Sequence, residues 1–228
     1  TWDWIYHEYV SLDRRFYFVV DYLKKIYDVS DYRIQADPIC DPKEQSLRTP
    51  PISRLPVSTR LETRQRLGIS KDDAMVLITM GGIFEPMQCV RQLSDYHEGV
   101  RFVVPGAAPH MIPLEDNLKN IVFLPQASGF YHPDLVLAAD AVIGKVGYST
   151  LAEVFHAGVP FGYINRNNFR EAPVMASYIR ARMKGMQISE NEFHGGAWLD
   201  RLSGLLSLGV ELKQEPNGAV VAAEHIFK

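Results

Sequence analysis

Beyond about residue 60 the chain repeats one alternation. A short, almost unbroken apolar run is followed by a longer stretch whose apolar residues recur at helical spacing. The runs lie near 74–80, 100–104, 120–124, 140–143, 159–164 and 186–188. Around them the spacing predicts helices over about 85–96, 133–139, 149–157, 170–183 and 197–206, and a last one over 217–227. Another helix spans Arg60 to Gly68 and stops on the glycine. Strands that are apolar throughout are buried on both faces, and strands separated by helices pair in parallel. The prediction is an α/β fold, a doubly wound parallel sheet covered by helices.

In such sheets ligands bind beyond the carboxyl ends of the strands, where the strand order reverses. The predicted strand ends carry Gly81-Gly82, Pro105-Gly106, Pro125-Gln126, Gly144-Lys145 and Asn165-Arg166, which should share one rim. The most informative stretch runs from Asp140 to Pro160. Ala141, Val142 and Ile143 lead into a turn framed by Gly144 and Gly147, and a helix follows at once. Ser149 or Thr150 opens that helix, Gly158 closes it, and Leu151, Val154 and Phe155 share one side. Glycine permits close backbone approach, and a helix start presents unpaired N–H groups at the positive end of the dipole. Together they make a candidate phosphate cradle.

The first 50 residues have a different texture. Trp2, Trp4, Tyr6, Tyr9, Phe16, Tyr17, Phe18, Tyr22 and Tyr27 give them a high aromatic density, and a helix is predicted from about Asp13 to Tyr27. The prolines at 38, 42, 50 and 51 then predict an extended linker. Residues 1–50 are read as the tail of a preceding domain plus linker, and 51–228 as the main domain. A 46% hydrophobic and 22% charged composition is that of a globular protein, and a formal charge of −3 gives no electrostatic case for nucleic acid or an anionic membrane. No apolar run is long enough to span a membrane. Cys40 and Cys89 stand far apart, which fits buried thiols in a reducing cytoplasm. The seven histidines show no paired zinc-ligand spacing, so neither metal nor cofactor is expected.

Each candidate residue has a structural reading beside the functional one. Gly144, Gly147, Ser149 and Thr150 either cradle phosphate or only build a βα turn. The run matches neither G-x-x-x-x-G-K-[ST] nor G-x-G-x-x-G. Lys145 either neutralises phosphate charge or is a solvated lysine. Glu153 forms Thr-x-x-Glu with Thr150, a capping box, or accepts from a ribose diol. Gly81 and Gly82 bring backbone near a ligand or merely turn the chain. Pro125 and Gln126 flank a base or serve the loop. The polar cluster from Asn165 to Glu171 contacts sugar or phosphate, or caps the next helix at Asn168. His132, Asp134 and Glu171 are capable of acid–base work, with surface placement the default. No catalytic base is identified.

The segment Gly144-Lys-Val-Gly-Tyr-Ser-Thr-Leu-Ala-Glu153, with Gly158-Val-Pro160 and Arg166-x-x-Phe169-Arg170-Glu171, resembles the carboxy-terminal, Rossmann-like domain of GT-B glycosyltransferases. In particular it resembles the glycosyltransferase-like half that precedes the sugar kinase in L-arabinokinases. Arg64-x-x-Leu67-Gly68, Met80-Gly81-Gly82, His132-Pro133-Asp134 and Asn217-Gly218 agree with this. The resemblance implies a nucleotide-sugar, usually a UDP-sugar, as substrate, with an acceptor still to be identified. It implies that Glu153 holds the ribose hydroxyls and that the helix start at Tyr148, Ser149 and Thr150 faces the diphosphate. Loops at Pro125–Gln126 would lie by the base, and those at Phe169–Glu171 would approach the sugar. It also implies an amino-terminal domain as partner in the full-length protein, of which residues 1–50 are a remnant. Two other functions use the same architecture: a non-catalytic nucleotide-sugar sensor and a UDP-sugar epimerase.

Overall fold

The computed structural model describes residues 1–81, 89–97, 99–107, 118–165 and 169–227. Two helices, α1 (Trp2–His7) and α2 (Phe16–Asp28), lead into two short parallel strands, β1 (Ile34–Ala36) and β2 (Leu47–Thr49). The main domain follows as α3 (Arg60–Arg66), β3 (Ala74–Thr79), α4 (Val90–Ser94), β4 (Val100–Ala107), β5 (Ile121–Pro125) and α5 (His132–Ala138). It continues through β6 (Ala141–Lys145), α6 (Tyr148–Ala157), β7 (Phe161–Ile164), α7 (Ala172–Arg182) and β8 (Gly185–Ile188). It ends with α8 (Glu190–Gly195), a 3-10 turn over Ala197–Arg201, α9 (Leu202–Ser207) and α10 (Gly218–Ile226). None of the described helices is long and apolar enough to cross a membrane.

Six strands form one all-parallel sheet in the order β5-β4-β3-β6-β7-β8. This is the doubly wound order in which the chain starts in the middle, winds to one edge, then returns and winds to the other. The order therefore reverses between β3 and β6, where Val76 pairs with Ala141 and Thr79 with Gly144. The unbroken apolar runs are explained by two-sided burial. Met75 and Leu77 enter one core with Leu135, Leu151, Val154, Met175 and Ile179, while Val76 and Ile78 enter the other with Leu93, Phe193, Trp198 and Leu205. Each such side chain contributes roughly 1.5–3 kcal/mol on leaving water. Arg64 is buried in α3 and donates to the carbonyls of Ala138, Ser70 and Asp73 and to Asp140. Arg64 beside Leu67-Gly68 thus serves the fold.

The predicted linker contains more order than expected, and α1 and α8 were not anticipated. Gln35 organises the loop between β1 and β2: its amide donates to the Asp41 carbonyl, and its oxygen accepts from Lys43 N–H and the Ser46 hydroxyl. Proline removes donors but leaves carbonyls, and the segment after β2 uses them. Pro51 oxygen accepts from Gly218 N–H and lies 2.8 Å from His156 Nε2, while Asn217 donates to the Ser53 carbonyl. Val57 and Ser58 N–H donate to Asp134, which is buried rather than at the surface. Residues 50–58 are thereby strapped across the sheet domain.

Candidate functional site

The crevice at the strand reversal is built by β3 and β6. After Thr79 the chain turns at Gly81, whose φ of 77° is a left-handed conformation that glycine tolerates. On the other side β6 continues through Gly144 to Lys145, so Gly144 is a strand residue and does not frame the turn. A Cβ at Gly144 would lie well inside contact distance of the Thr79 carbonyl oxygen, so glycine is needed there for strand packing. Val146 N–H still donates to the Ile164 carbonyl, which keeps the backbone extended past the strand. Gly147 is consequently the N-cap of α6, with φ −148° and ψ 148°. Ser149 and Thr150 lie inside the first turn and do not open the helix. Glu153 makes no capping box with Thr150.

Gly147 needs no special dihedral, and a Cβ there would meet no atom within 4 Å. Its missing side chain leaves open space. Among the described residues, none accepts from the backbone N–H groups of Gly147, Tyr148, Ser149 or Thr150; the first helical bond is from Leu151 N–H to the Gly147 carbonyl. These amides border a cavity of about 380 Å³ lined by Arg54, Thr79, Gly81, His132, Gly147, Tyr148, Ser149, Thr150 and Glu153.

The floor of the cavity is a polar chain of contacts. Glu153 Oε1 accepts from Arg54 Nε and lies 2.8 Å from Arg54 Nη2. Glu153 Oε2 lies 2.6 Å from His132 Nδ1, and His132 Nε2 lies 3.1 Å from Thr79 Oγ1. An ionised carboxylate only accepts, so Nδ1 carries the proton toward Glu153. Tyr148 lines the wall while its hydroxyl donates to the Asp37 carbonyl at 2.6 Å, and burial pushes that phenol up to about 12. Among the described residues no group of three or more His, Cys, Asp or Glu is placed to hold a metal ion.

Of the residues singled out in the sequence, Gly81, Gly147, Tyr148, Ser149, Thr150 and Glu153 come together in this cavity. Pro125 and Gln126 do not line it; they are exposed at the end of β5, two strands from the reversal. Lys145 ends β6 partly buried, and Phe169 and Glu171 lie just before α7. Arg170 is engaged elsewhere: its guanidinium stacks 4.0 Å from the Trp4 ring centroid and donates to the Trp4 carbonyl. Gly82, Arg166 and Asn168 lie outside the described residues. Arg54 and Thr79 were not foreseen, and His132 was expected at the surface. Arg54 gave no local signal, because its partner Glu153 is 99 positions away.

The architecture is that of the Rossmann-like half of GT-B glycosyltransferases, as the sequence resemblance implied. The calicheamicin glycosyltransferase CalG4 superposes with a TM-score of 0.55 at 16% identity, over 87% of this chain and 49% of that one. The glycosyltransferase VinC, solved in complex with dTDP, superposes with a TM-score of 0.50 at 16% identity, over 73% and 41%. In sequence the chain is 27% identical to the L-arabinokinase of Arabidopsis thaliana across its whole length. It spans 21% of that curated relative. No family model matches the chain.

Proposed function

We propose that the chain is the donor-binding domain of a GT-B type glycosyltransferase that takes a nucleotide-sugar, in first place a UDP-sugar. The observation that carries this reading is the row of amides at residues 147–150, open to a cavity at the point of strand reversal. In glycosyl transfer the anomeric carbon is attacked by an acceptor hydroxyl as its bond to the diphosphate breaks. Backbone N–H groups fixed at a helix start stabilise the charge that develops on the phosphate oxygens. The dTDP of VinC is, like UDP, a pyrimidine nucleoside diphosphate, which supports that class of ligand. Residues 1–50 are read as the end of a preceding domain that would close over the donor and supply the acceptor side. The location is read as cytoplasmic.

Calorimetric titration of the folded chain with UDP and a UDP-sugar tests the proposal. Saturable binding is expected, and its absence at millimolar ligand would sink it. A second reading draws on the His132–Glu153 pair, which places an acid–base couple in the cavity and suits a UDP-sugar epimerase. Conversion of the donor to an epimer without acceptor, followed by NMR on the full-length protein, would favour that reading. A full-length protein that binds donor yet turns over no donor–acceptor pair would be a sensor.

A further inference from the structure

The strap over residues 50–58 has no helix or strand of its own, yet its backbone is held on both sides of Arg54. Pro50, Pro51 and Pro56 restrict its backbone angles. On one side Pro51 oxygen accepts from Gly218 N–H, and Asn217 Nδ2 donates to the Ser53 carbonyl at 2.8 Å and lies 3.1 Å from Ser53 Oγ. On the other, Val57 and Ser58 N–H donate to Asp134. A Cβ at Gly218 would strike the Pro50 carbonyl, so glycine lets α10 begin this close to the strap. Between the anchors, Arg54 Nε donates to Glu153 Oε1 at 2.8 Å, and the guanidinium lies 5.3 Å from the centre of the Tyr131 ring. Asn217 does more than a helix cap requires. Its Oδ1 accepts from Ala219 N–H at 3.0 Å, which caps α10 and turns Nδ2 toward the strap. Serine, threonine or aspartate would cap as well, but the side-chain amide also donates from nitrogen.

We propose that Asn217 is a positioning residue for the cavity: it fixes the strap, and the strap's Arg54 fixes the Glu153 carboxylate that receives the ribose hydroxyls of a nucleotide. The inference rests on the nucleotide-sugar reading above and adds to it a residue from outside the cavity lining. An ionised carboxylate only accepts, so hydroxyls suit it and phosphates do not. Thr150 and Glu153 are three residues apart on one face of α6 and both line the cavity. A ligand whose diphosphate meets the amides at 147–150 therefore brings the ribose joined to it past Glu153. The carboxylate is oriented from outside its own helix: Arg54 holds Oε1, and His132 Nδ1 lies 2.6 Å from Oε2. A receptor held in place before the ligand arrives loses less freedom on binding than one that swings. Asn217 acts two steps away, by keeping the backbone next to Arg54 where the guanidinium reaches Glu153.

The test is titration of the wild-type chain and of Asn217→Asp, Asn217→Ser and Arg54→Ala with UDP and 2′,3′-dideoxy-UDP. Circular dichroism and thermal unfolding check the fold of each variant. The wild-type chain is expected to prefer UDP. Both Asn217 substitutions keep an oxygen to cap α10 but lose the amide donor to the strap. They should weaken UDP by about 5-fold, the size of one lost hydrogen bond, and leave dideoxy-UDP unchanged. Arg54→Ala should erode the same preference, and Asn217→Asp should add nothing further in that background. If the Asn217 variants unfold earlier yet keep the wild-type ratio of UDP to dideoxy-UDP affinity, Asn217 serves α10 alone and the inference falls. Equal weakening of both ligands also overturns it, as does a wild-type preference in Arg54→Ala, and that variant decides the matter should the Asn217 variants not fold. A wild-type chain that binds both ligands equally overturns this proposal and leaves the nucleotide-sugar reading standing. One that binds neither overturns that reading, and this proposal with it.

Discussion

At the start of α3 and in the first turns of α6 the chain carries the same spacing, Thr59-Arg-Leu-Glu62 and Thr150-Leu-Ala-Glu153. In α3 the threonine is extended, its hydroxyl accepts from Glu62 N–H at 3.2 Å, and Glu62 Oε2 accepts from Thr59 N–H at 2.8 Å. That is a reciprocal cap at the surface. In α6 the threonine is already helical, because Gly147 has taken the cap three residues earlier, and the glutamate lies buried against Arg54 and His132. The difference teaches that a capping motif acts only where the preceding chain leaves its threonine non-helical. Before α3 comes an irregular strap; before α6 comes a strand whose ladder extends to Val146 and hands the cap to Gly147.

The largest effect should come from attacking that ladder. Gly144→Val would press a branched side chain against the Thr79 carbonyl, where neither strand can yield without losing pairing. A destabilisation of about 3 kcal/mol or more is expected from such overpacking, read by chemical denaturation. A loss under about 1 kcal/mol would show that the strands separate easily and that the cap position is not fixed by them.

Next in size is Glu153→Ala. It removes a buried carboxylate but leaves Arg54 and His132 able to reach water, so the expected loss is roughly 1–3 kcal/mol, below that of a fully enclosed pair. Its counterpart Glu62→Ala should cost less, since it loses only half of an exposed cap. Equal losses at the two sites would mean that burial of Glu153 adds nothing. The smallest effect sharpens the contrast most. Thr59→Ala should cost about 1 kcal/mol as a lost cap, whereas Thr150→Ala should change stability by no more than about 0.5 kcal/mol. A cost of about 1 kcal/mol at both positions would restore Thr150 as a cap in solution.

Much of the fold was legible because two-sided burial leaves a strong mark. Met75-Val-Leu-Ile78 reads as a buried strand whichever face each residue takes, and six such runs, most of them separated by helices, leave few topologies. The strand end and helix start at Gly147 were legible because strand, glycine and helix stand next to one another in the chain. Thr79 was hidden as the polar end of an apolar run. Arg54 was hidden in a proline-rich stretch that looked like mere connection. Arg170 misled because a cation near a strand end suggests a ligand contact, and only the folded chain shows Trp4 beneath it.

By itself, then, the sequence determined what depends on neighbours along the chain: strand and helix types, the parallel class, and the place where backbone amides would be left unpaired. Tertiary structure decided which residue caps α6, which side chains surround Glu153, and which cation faces the cavity. Those outcomes turn on strand register and on contacts bridging scores of positions, and charge–charge geometry of that kind leaves no periodic trace in a linear pattern.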